Sequence, residues 1–208
     1  MLYNVALAWV IATAIVCVEG MNEEALLDAL RVLTRIGFWW FVGAWVARPL
    51  HDLARNRVTT WMLANRRYLG LSFAAFHLMH YPIMGTIAAL RGAGSWWDEY
   101  GDFVRPNGGP IMLAITIMAA TSWNGAQRVL GKTLWSLIHT LGAYAVWSLF
   151  FAVYLSRIDD GAGQPYTYVY LATLVLAMTL RLAMAVRREL RVLMAGTDAP
   201  RSTRSSDP

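Results

Sequence analysis

Six long apolar stretches alternate with charged connections along this chain, and this alternation limits the possible folds more than any other feature. The chain has 208 residues, of which 57% are hydrophobic and only 15% are charged, whereas about a quarter of the residues in soluble domains are charged. A helix of about 20 apolar residues is long enough to cross a bilayer. The predicted spans are 2–18, 27–47, 67–90, 109–121, 133–155 and 166–186.

These spans predict an all-α integral membrane protein, a six-helix bundle that occupies residues 1–190. The last residues, GTDAPRSTRSSDP, are polar and rich in Ser and Pro. Such segments cannot bury enough apolar surface to fold. We therefore expect a disordered cytoplasmic tail over residues 191–208.

The charges of the connections predict how the bundle is oriented. The connections after the second and fourth spans are basic, as is the tail, and basic segments face the cytoplasm. Six spans with both termini in the cytoplasm satisfy this rule. We expect a multi-pass protein of the cell inner (plasma) membrane, embedded in the lipid bilayer. Since orientation explains the net charge of +5, we expect no nucleic-acid partner. The acidic connections hold Glu19, Glu23, Glu24 and Asp28, then Asp98, Glu99 and Asp102, then Asp159 and Asp160.

Three of the four histidines lie inside predicted spans: His77, His80 and His139. Ionisable side chains are costly there and usually face the bundle interior. His77 and His80 are three residues apart and share one helix face. All three are candidate ligands for haem iron, which accepts neutral imidazole nitrogen; alternatively, each forms a hydrogen bond to a neighbouring helix. His51 is expected to be a solvated loop residue.

Two motifs around these histidines resemble motifs of the ferric reductase-like transmembrane domain superfamily. RRYLGLSFAAFHLMHY resembles the third-helix signature, with its histidine at His80. TSWNGAQRVLGKTLWSLIHTLGAY resembles the entry to the fifth helix, with its histidine at His139. WVARPLHDL is similar to the exit of the second helix, where a proline follows an apolar run. The pattern is most similar to the haem membrane subunits of the periplasmic methionine sulfoxide reductase system.

The resemblance implies a bundle that holds b-type haem between its third and fifth helices. Such a bundle would carry electrons from a cytoplasmic or quinol donor to an outer-face acceptor protein, as the electron-transfer subunit of an oxidoreductase. Whether the chain is itself an enzyme stays open. It contains no GxGxxG or GxxxxGK motif, so the electrons would come from a separate donor. Cys17 is the only cysteine, so haem would be held by coordination and packing alone.

The sequence also departs from the family pattern. The histidine that follows the fifth-helix histidine in the family is missing, because Ala152 and Val153 stand at its place. His80 and His139 are expected about 21 and 11 Å from the cytoplasmic ends of their spans, whereas two axial ligands of one haem need the same level. Three alternatives remain. One is a five-coordinate haem on His80, another is an unusual pair that joins His77 or His80 to His139, and the third is a haem-free bundle acting in assembly, sensing or transport.

Arginines near the span ends are candidate contacts for a cofactor. Arg31 and Arg35 lie near the outer end of the second span, and Arg67 lies at the inner end of the third. Guanidinium groups suit carboxylates such as haem propionates. Alternatively, the first two pair with Asp28 or reach the headgroups. Arg66 and Arg67 either contact a flavin or quinone or simply set the orientation. Indoles that would flank a ring cofactor, or else pack in the core, are Trp39, Trp40 and Trp45.

Overall fold

The computed structural model describes residues 2–92, 94, 108–159 and 164–197. All regular structure in these ranges is helical, which confirms the predicted all-α class. The helices are α1 (Leu2–Glu19), α2 (Glu23–Leu53), α3 (Arg57–Ala64), α4 (Arg66–Leu78), α5 (His80–Arg91), α6 (Gly109–Ala120), α7 (Asn124–Asp159) and α8 (Pro165–Thr197).

Local sequence signals set several of the helix boundaries. Asn22 caps α2, because its side chain accepts a hydrogen bond from the backbone N–H of Ala25 at 2.9 Å. Asn56 and Thr59 form a reciprocal capping box at the start of α3. Within α7, Gly131 adopts φ 74°, a left-handed conformation that favours glycine. It separates a short first segment from the long helix that contains the predicted span 133–155.

Five helices form a closed ring in the order α2, α4, α6, α7 and α8, since each packs against the next and α8 returns to α2. Helix α1 lies outside this ring against α2 and α4, and α5 continues α4 beyond a break at Met79. An aromatic core lies inside the ring. Phe38 lies at its centre, fully buried and in edge-to-face contact with the rings of Phe150, Tyr154 and Tyr170.

Three helical segments are long and apolar enough to cross a membrane, which agrees with a membrane protein. They are Arg66–Arg91, Asn124–Asp159 and Pro165–Met194. Helices α1 and α6 are apolar but shorter. Each of the six predicted spans falls largely within one helix or within the α4–α5 pair. The number of six membrane crossings and the cytoplasmic position of both termini stay predictions.

Two helices extend beyond their predicted ends. Helix α2 continues through Pro49 to Leu53, although the predicted span ends at 47. Helix α8 continues to Thr197, so the first part of the predicted disordered tail, residues 191–197, is helical. This correction follows from Arg191, Val192, Leu193 and Met194, which are helix-compatible residues that extend the same helix beyond its apolar run. The remaining tail and the acidic residues Asp98, Glu99, Asp102 and Asp160 lie outside the described ranges.

Candidate functional site

A proline in α2 leaves a backbone carbonyl group of that helix free beside a candidate site. Pro49 lies inside the helix, and proline cannot donate the hydrogen bond that the carbonyl four residues earlier normally accepts. That carbonyl belongs to Trp45. Arg181 of α8 donates to it instead, with 3.4 Å between Nη1 and the oxygen. Arg66 of α4 donates from Nε to the adjacent carbonyl of Ala44 at 3.0 Å. Two helices thus bring arginines to neighbouring carbonyl groups of a third.

A cavity of about 440 Å³ opens beside these arginines. This volume lies within the range of small-molecule sites, about 300–1,000 Å³. The end of α3 and all five ring helices contribute to its walls. A ligand here would meet apolar surface and a few polar groups together. Aromatic rings form much of the wall: Phe41, Trp45, Phe73, Trp123 and Trp135.

The charge around this cavity is entirely positive. Arg66, Arg67 and Arg181 line it, and its described lining includes no aspartate or glutamate. Arg67 donates to the amide oxygen of Asn124, with 2.7 Å between Nη1 and Oδ1. Arg181 lies over the indole of Trp45, with Cζ 4.2 Å from the ring centroid. The ion pairs found in the described ranges leave all three arginines without a carboxylate.

Of the predicted iron ligands, His139 lies at this cavity. Its half-buried ring is held by two neighbours. Trp135, one turn earlier in α7, stacks on the imidazole with 4.3 Å between centroids. The hydroxyl of Thr121, at the end of α6, lies 3.1 Å from Nε2 of His139. Trp135 also donates from Nε1 to the carbonyl of Thr121 at 2.9 Å. The imidazole is therefore oriented at the cavity wall.

His77 and His80 lie in a different, closely packed region, where α4 gives way to α5. Their rings stack with 5.4 Å between centroids. Nδ1 of His77 is 3.3 Å from the carbonyl of Phe73, and Nδ1 of His80 is 2.8 Å from the carbonyl of His77. Nε2 of His80 lies 3.4 Å from the hydroxyl of Thr34. Neither histidine lines the cavity. Iron binding by either one stays a prediction.

A glycine in α2 permits this close packing. A Cβ atom at Gly37 would lie 2.7 Å from Nδ1 and 2.8 Å from Cε1 of His77. Such distances are shorter than real Cβ contacts, so α2 approaches the imidazole only because residue 37 has no side chain. The histidine pair is consequently enclosed by backbone as well as by side chains.

The two arginines predicted near the outer end of the second span lie away from the cavity lining. Arg31 forms an ion pair with Asp28 one turn earlier, which is the alternative that the sequence offered. Arg35 donates from Nη2 to the hydroxyl of Tyr166 at 3.0 Å, and its Cζ lies 4.4 Å from that ring's centroid. Their predicted role as cofactor contacts stays untested, whereas Arg67 does line the cavity.

Of the three candidate tryptophans, one lies at the cavity and two lie elsewhere. Trp45 lines the cavity, whereas Trp39 and Trp40 pack against the aromatic core. His51 was expected in a loop, but it lies in the last turn of α2 and its buried Nδ1 finds no partner among the described residues. That expectation was wrong because α2 continues past Pro49.

Sequence reasoning missed Arg181, which is central to the site. A usable signal was present, because Arg181 lies inside the apolar run of the predicted span 166–186. A cation within a membrane helix is costly and often marks a functional site. Its acceptor at Trp45 could not be read from the sequence, since that contact joins residues of two distant helices.

The described residues contain no group of three or more His, Cys, Asp or Glu side chains that would hold a metal ion. Haem iron needs only one or two protein ligands, so this finding does not bear on haem. Comparison with protein-family models, curated proteins and solved structures gave no match to this chain, so the ferric reductase-like resemblance stays a prediction from the motifs.

Proposed function

We propose that this chain is a membrane electron carrier that binds one b-type haem in the cavity beside His139. The observation that carries the proposal is the combination of groups at that cavity: one oriented imidazole, aromatic walls and three arginines that have no carboxylate partner in the described part of the chain. This donor set suits a flat, apolar macrocycle that carries an iron atom and acidic side groups. It differs from the first alternative drawn from the sequence, in which His80 holds the iron.

The residues of the cavity would have distinct roles. The imidazole of His139 would hold the iron, and Trp135 stacks on its ring and orients it. The rings of Phe41 and Phe73 offer apolar surface and exclude water, which favours a low-dielectric redox site. Arg67 and its neighbouring arginines are candidate partners for propionates. When bound, haem supplies the one-electron chemistry.

The aromatic core supports a route away from the cavity. Phe41 lies in the cavity wall and is 5.7 Å, between centroids, from Phe150. Phe150 is 6.3 Å from Tyr154, which stacks on Tyr170 at 4.9 Å. Rings thus follow one another from the cavity towards the end of the bundle where Pro165 begins α8. An outer-face acceptor protein at that end fits the proposed orientation with both termini in the cytoplasm of an inner-membrane protein.

A separate protein on the cytoplasmic side, or a quinol from the bilayer, is the proposed donor. This would make the chain an electron-transfer subunit of an oxidoreductase. A flavin or quinone in the cavity would use the same aromatic walls and arginines, but it would not need the imidazole of His139. Removal of that imidazole therefore distinguishes haem from the other two cofactors.

A second function has one observation in its favour. His77 and His80 both use ring nitrogens in hydrogen bonds within their own packed region, and no other histidine lines the cavity beside His139. The chain thus lacks a matched pair of ligands at the described cavity. A haem-free bundle acting in assembly, sensing or transport is the competing proposal.

The test is a dithionite-reduced minus oxidised absorption spectrum of the purified protein from haem-replete cells. We expect a shifted Soret band with a sharp α band. His139→Ala should abolish this spectrum, whereas His80→Ala should retain it in the protein that folds. A colourless wild-type preparation that stays colourless after haemin is added would refute the haem proposal and favour the haem-free bundle. Loss of the spectrum in His80→Ala alone would move the iron to His80.

A further inference from the structure

The arginines of the cavity bring positive charges together, and no negatively charged side chain among the described residues pairs with them. Arg66 and Arg181 both donate to carbonyl groups of the same turn of α2, so two like charges lie close together beside apolar walls. Arg66 is exposed and Arg181 is half-buried, so water screens this repulsion only in part. The described lining contains no carboxylate that could pair with them.

We propose that Arg66 and Arg181 form an anion subsite of the cavity, which binds the carboxylate or phosphate head of an acidic amphiphile. The inference rests on the proposed function in that it concerns the same cavity, but it does not require the ligand to be haem. Two sources carry this chemistry: the propionates of haem and the phosphate of a phospholipid from the inner leaflet.

The hydrogen bonds to α2 orient both guanidinium groups and leave donors unused. Arginine has five N–H groups. Arg66 uses Nε for the carbonyl of Ala44. Arg181 uses Nη1 for the carbonyl of Trp45 and Nε for the hydroxyl of Tyr144, at 3.3 Å. The other donors of these two arginines find no partner among the described residues. Guanidinium forks of this kind bind carboxylate and phosphate oxygens through charge-assisted hydrogen bonds.

A buried indole lies next to the two arginines, and its polar atom is unpaired in the described part of the chain. The Nε1–H of Trp45 is buried and has no hydrogen-bond partner within the described ranges. Trp45 is only 2% exposed, lines the cavity and lies beneath the guanidinium of Arg181. An unpaired buried donor costs free energy.

The rest of the cavity indicates that the ligand has an apolar body. Phe41, Phe73, Ile115 and Met118 also line it. A small inorganic anion would leave these walls uncovered, whereas an amphiphile covers them and pairs its acidic head with the arginines. The geometry therefore favours an acidic amphiphile over free phosphate.

The test compares variants of the full chain, purified without haem in a neutral detergent. Arg66→Gln and Arg181→Gln each remove one cavity charge. Arg187→Gln is the matched control, because it removes the same charge from an exposed position on the helix of Arg181 and does not line the cavity. Arg181→Lys keeps the charge but loses the fork. One arm titrates haemin by absorbance, and the other measures retention of phosphatidylglycerol against phosphatidylcholine by native mass spectrometry.

We expect Arg66→Gln and Arg181→Gln each to weaken binding of the acidic amphiphile by at least about tenfold, the scale of a lost charge-assisted hydrogen bond. Arg181→Lys should weaken it less, and Arg187→Gln should bind as wild type does. Binding of phosphatidylglycerol but not haemin, with this arginine dependence, would support the subsite and refute the haem function. Binding of haemin unchanged by both glutamine variants would refute the subsite alone. No preference for either acidic ligand over phosphatidylcholine would also refute it.

Discussion

Three of the four histidines lie in two contrasting regions of this helical bundle. The pair His77 and His80 lies in a closely packed region, where the rings stack on one another and their Nδ1 atoms donate to backbone carbonyls of α4. Nε2 of His80 also lies 3.4 Å from the hydroxyl of Thr34. His139 lies half-buried on the wall of an arginine-lined cavity. The same residue type thus serves packing in one region and faces open space in the other. The difference shows that an imidazole in a membrane helix becomes a candidate ligand only when space for a ligand lies beside it.

One helix produces both regions. At Gly37, α2 comes close enough to His77 that no side chain fits between them. At Pro49, the same helix loses a backbone hydrogen bond and attracts Arg181 to the carbonyl of Trp45. Gly37 therefore allows close packing around His77 and His80. Pro49 lies beside the part of α2 that borders the cavity next to His139.

The largest effect is expected from truncation in the packed region. Phe76 is fully buried in the core that joins α1 and α2 to α4 and α5. Phe76→Ala should destabilise the protein by about 3 kcal/mol, because it leaves an unfilled space among tightly packed side chains. Thermal unfolding in detergent measures this change. Leu90→Ala, at a position that is 51% exposed, is the control and should change stability little. Equal losses in the two variants would contradict a closely packed region around Phe76.

The next effect tests the glycine contact itself. Gly37→Ala places a methyl group against the ring of His77, which is held on its other sides. Overpacking of this kind costs about 1–3 kcal/mol. Gly70→Ala in α4 is the matched control, since a Cβ atom there meets nothing within 4 Å. Unfolding measurements on both variants should show a loss for Gly37→Ala only. If Gly37→Ala is as stable as Gly70→Ala, the histidine pair is less tightly enclosed than proposed.

A smaller effect compares the hydrogen bonds of the two regions directly. Thr121 lies 3.1 Å from Nε2 of His139, and Thr34 lies 3.4 Å from Nε2 of His80. If haem binds at the cavity, the Thr121 hydroxyl competes with iron for the imidazole nitrogen. Thr121→Val should then strengthen haemin binding about two- to tenfold, which corresponds to the 0.5–1.5 kcal/mol of one hydrogen bond. Haemin titration should show no change for Thr34→Val. A gain in the Thr34 variant instead would indicate His80 as the ligand.

The sequence predicted the helices better than it predicted their contacts. Apolar runs located each long helix, and caps such as Asn22 explain where helices begin. Pro49 suggested the end of a helix, but tertiary packing carried α2 past it, with Arg181 replacing the missing donor. The motifs identified His80 and His139 as equivalent candidates, because a sequence shows spacing along one helix and not the space between helices. That Arg67 and His139 line the same cavity is visible only in the fold.

The smallest effect is expected outside both regions, at Arg31. Its ion pair with Asp28 is exposed, and such pairs contribute little because water screens the charges and ordering the side chains costs entropy. Arg31→Gln should therefore change unfolding stability by less than about 0.5 kcal/mol. It should also leave haemin affinity unchanged, because Arg31 does not line the cavity that holds His139. A clear loss of haemin binding in Arg31→Gln would place the acidic groups of the ligand near the outer end of α2. The cavity beside His139 would then no longer be the proposed haem site.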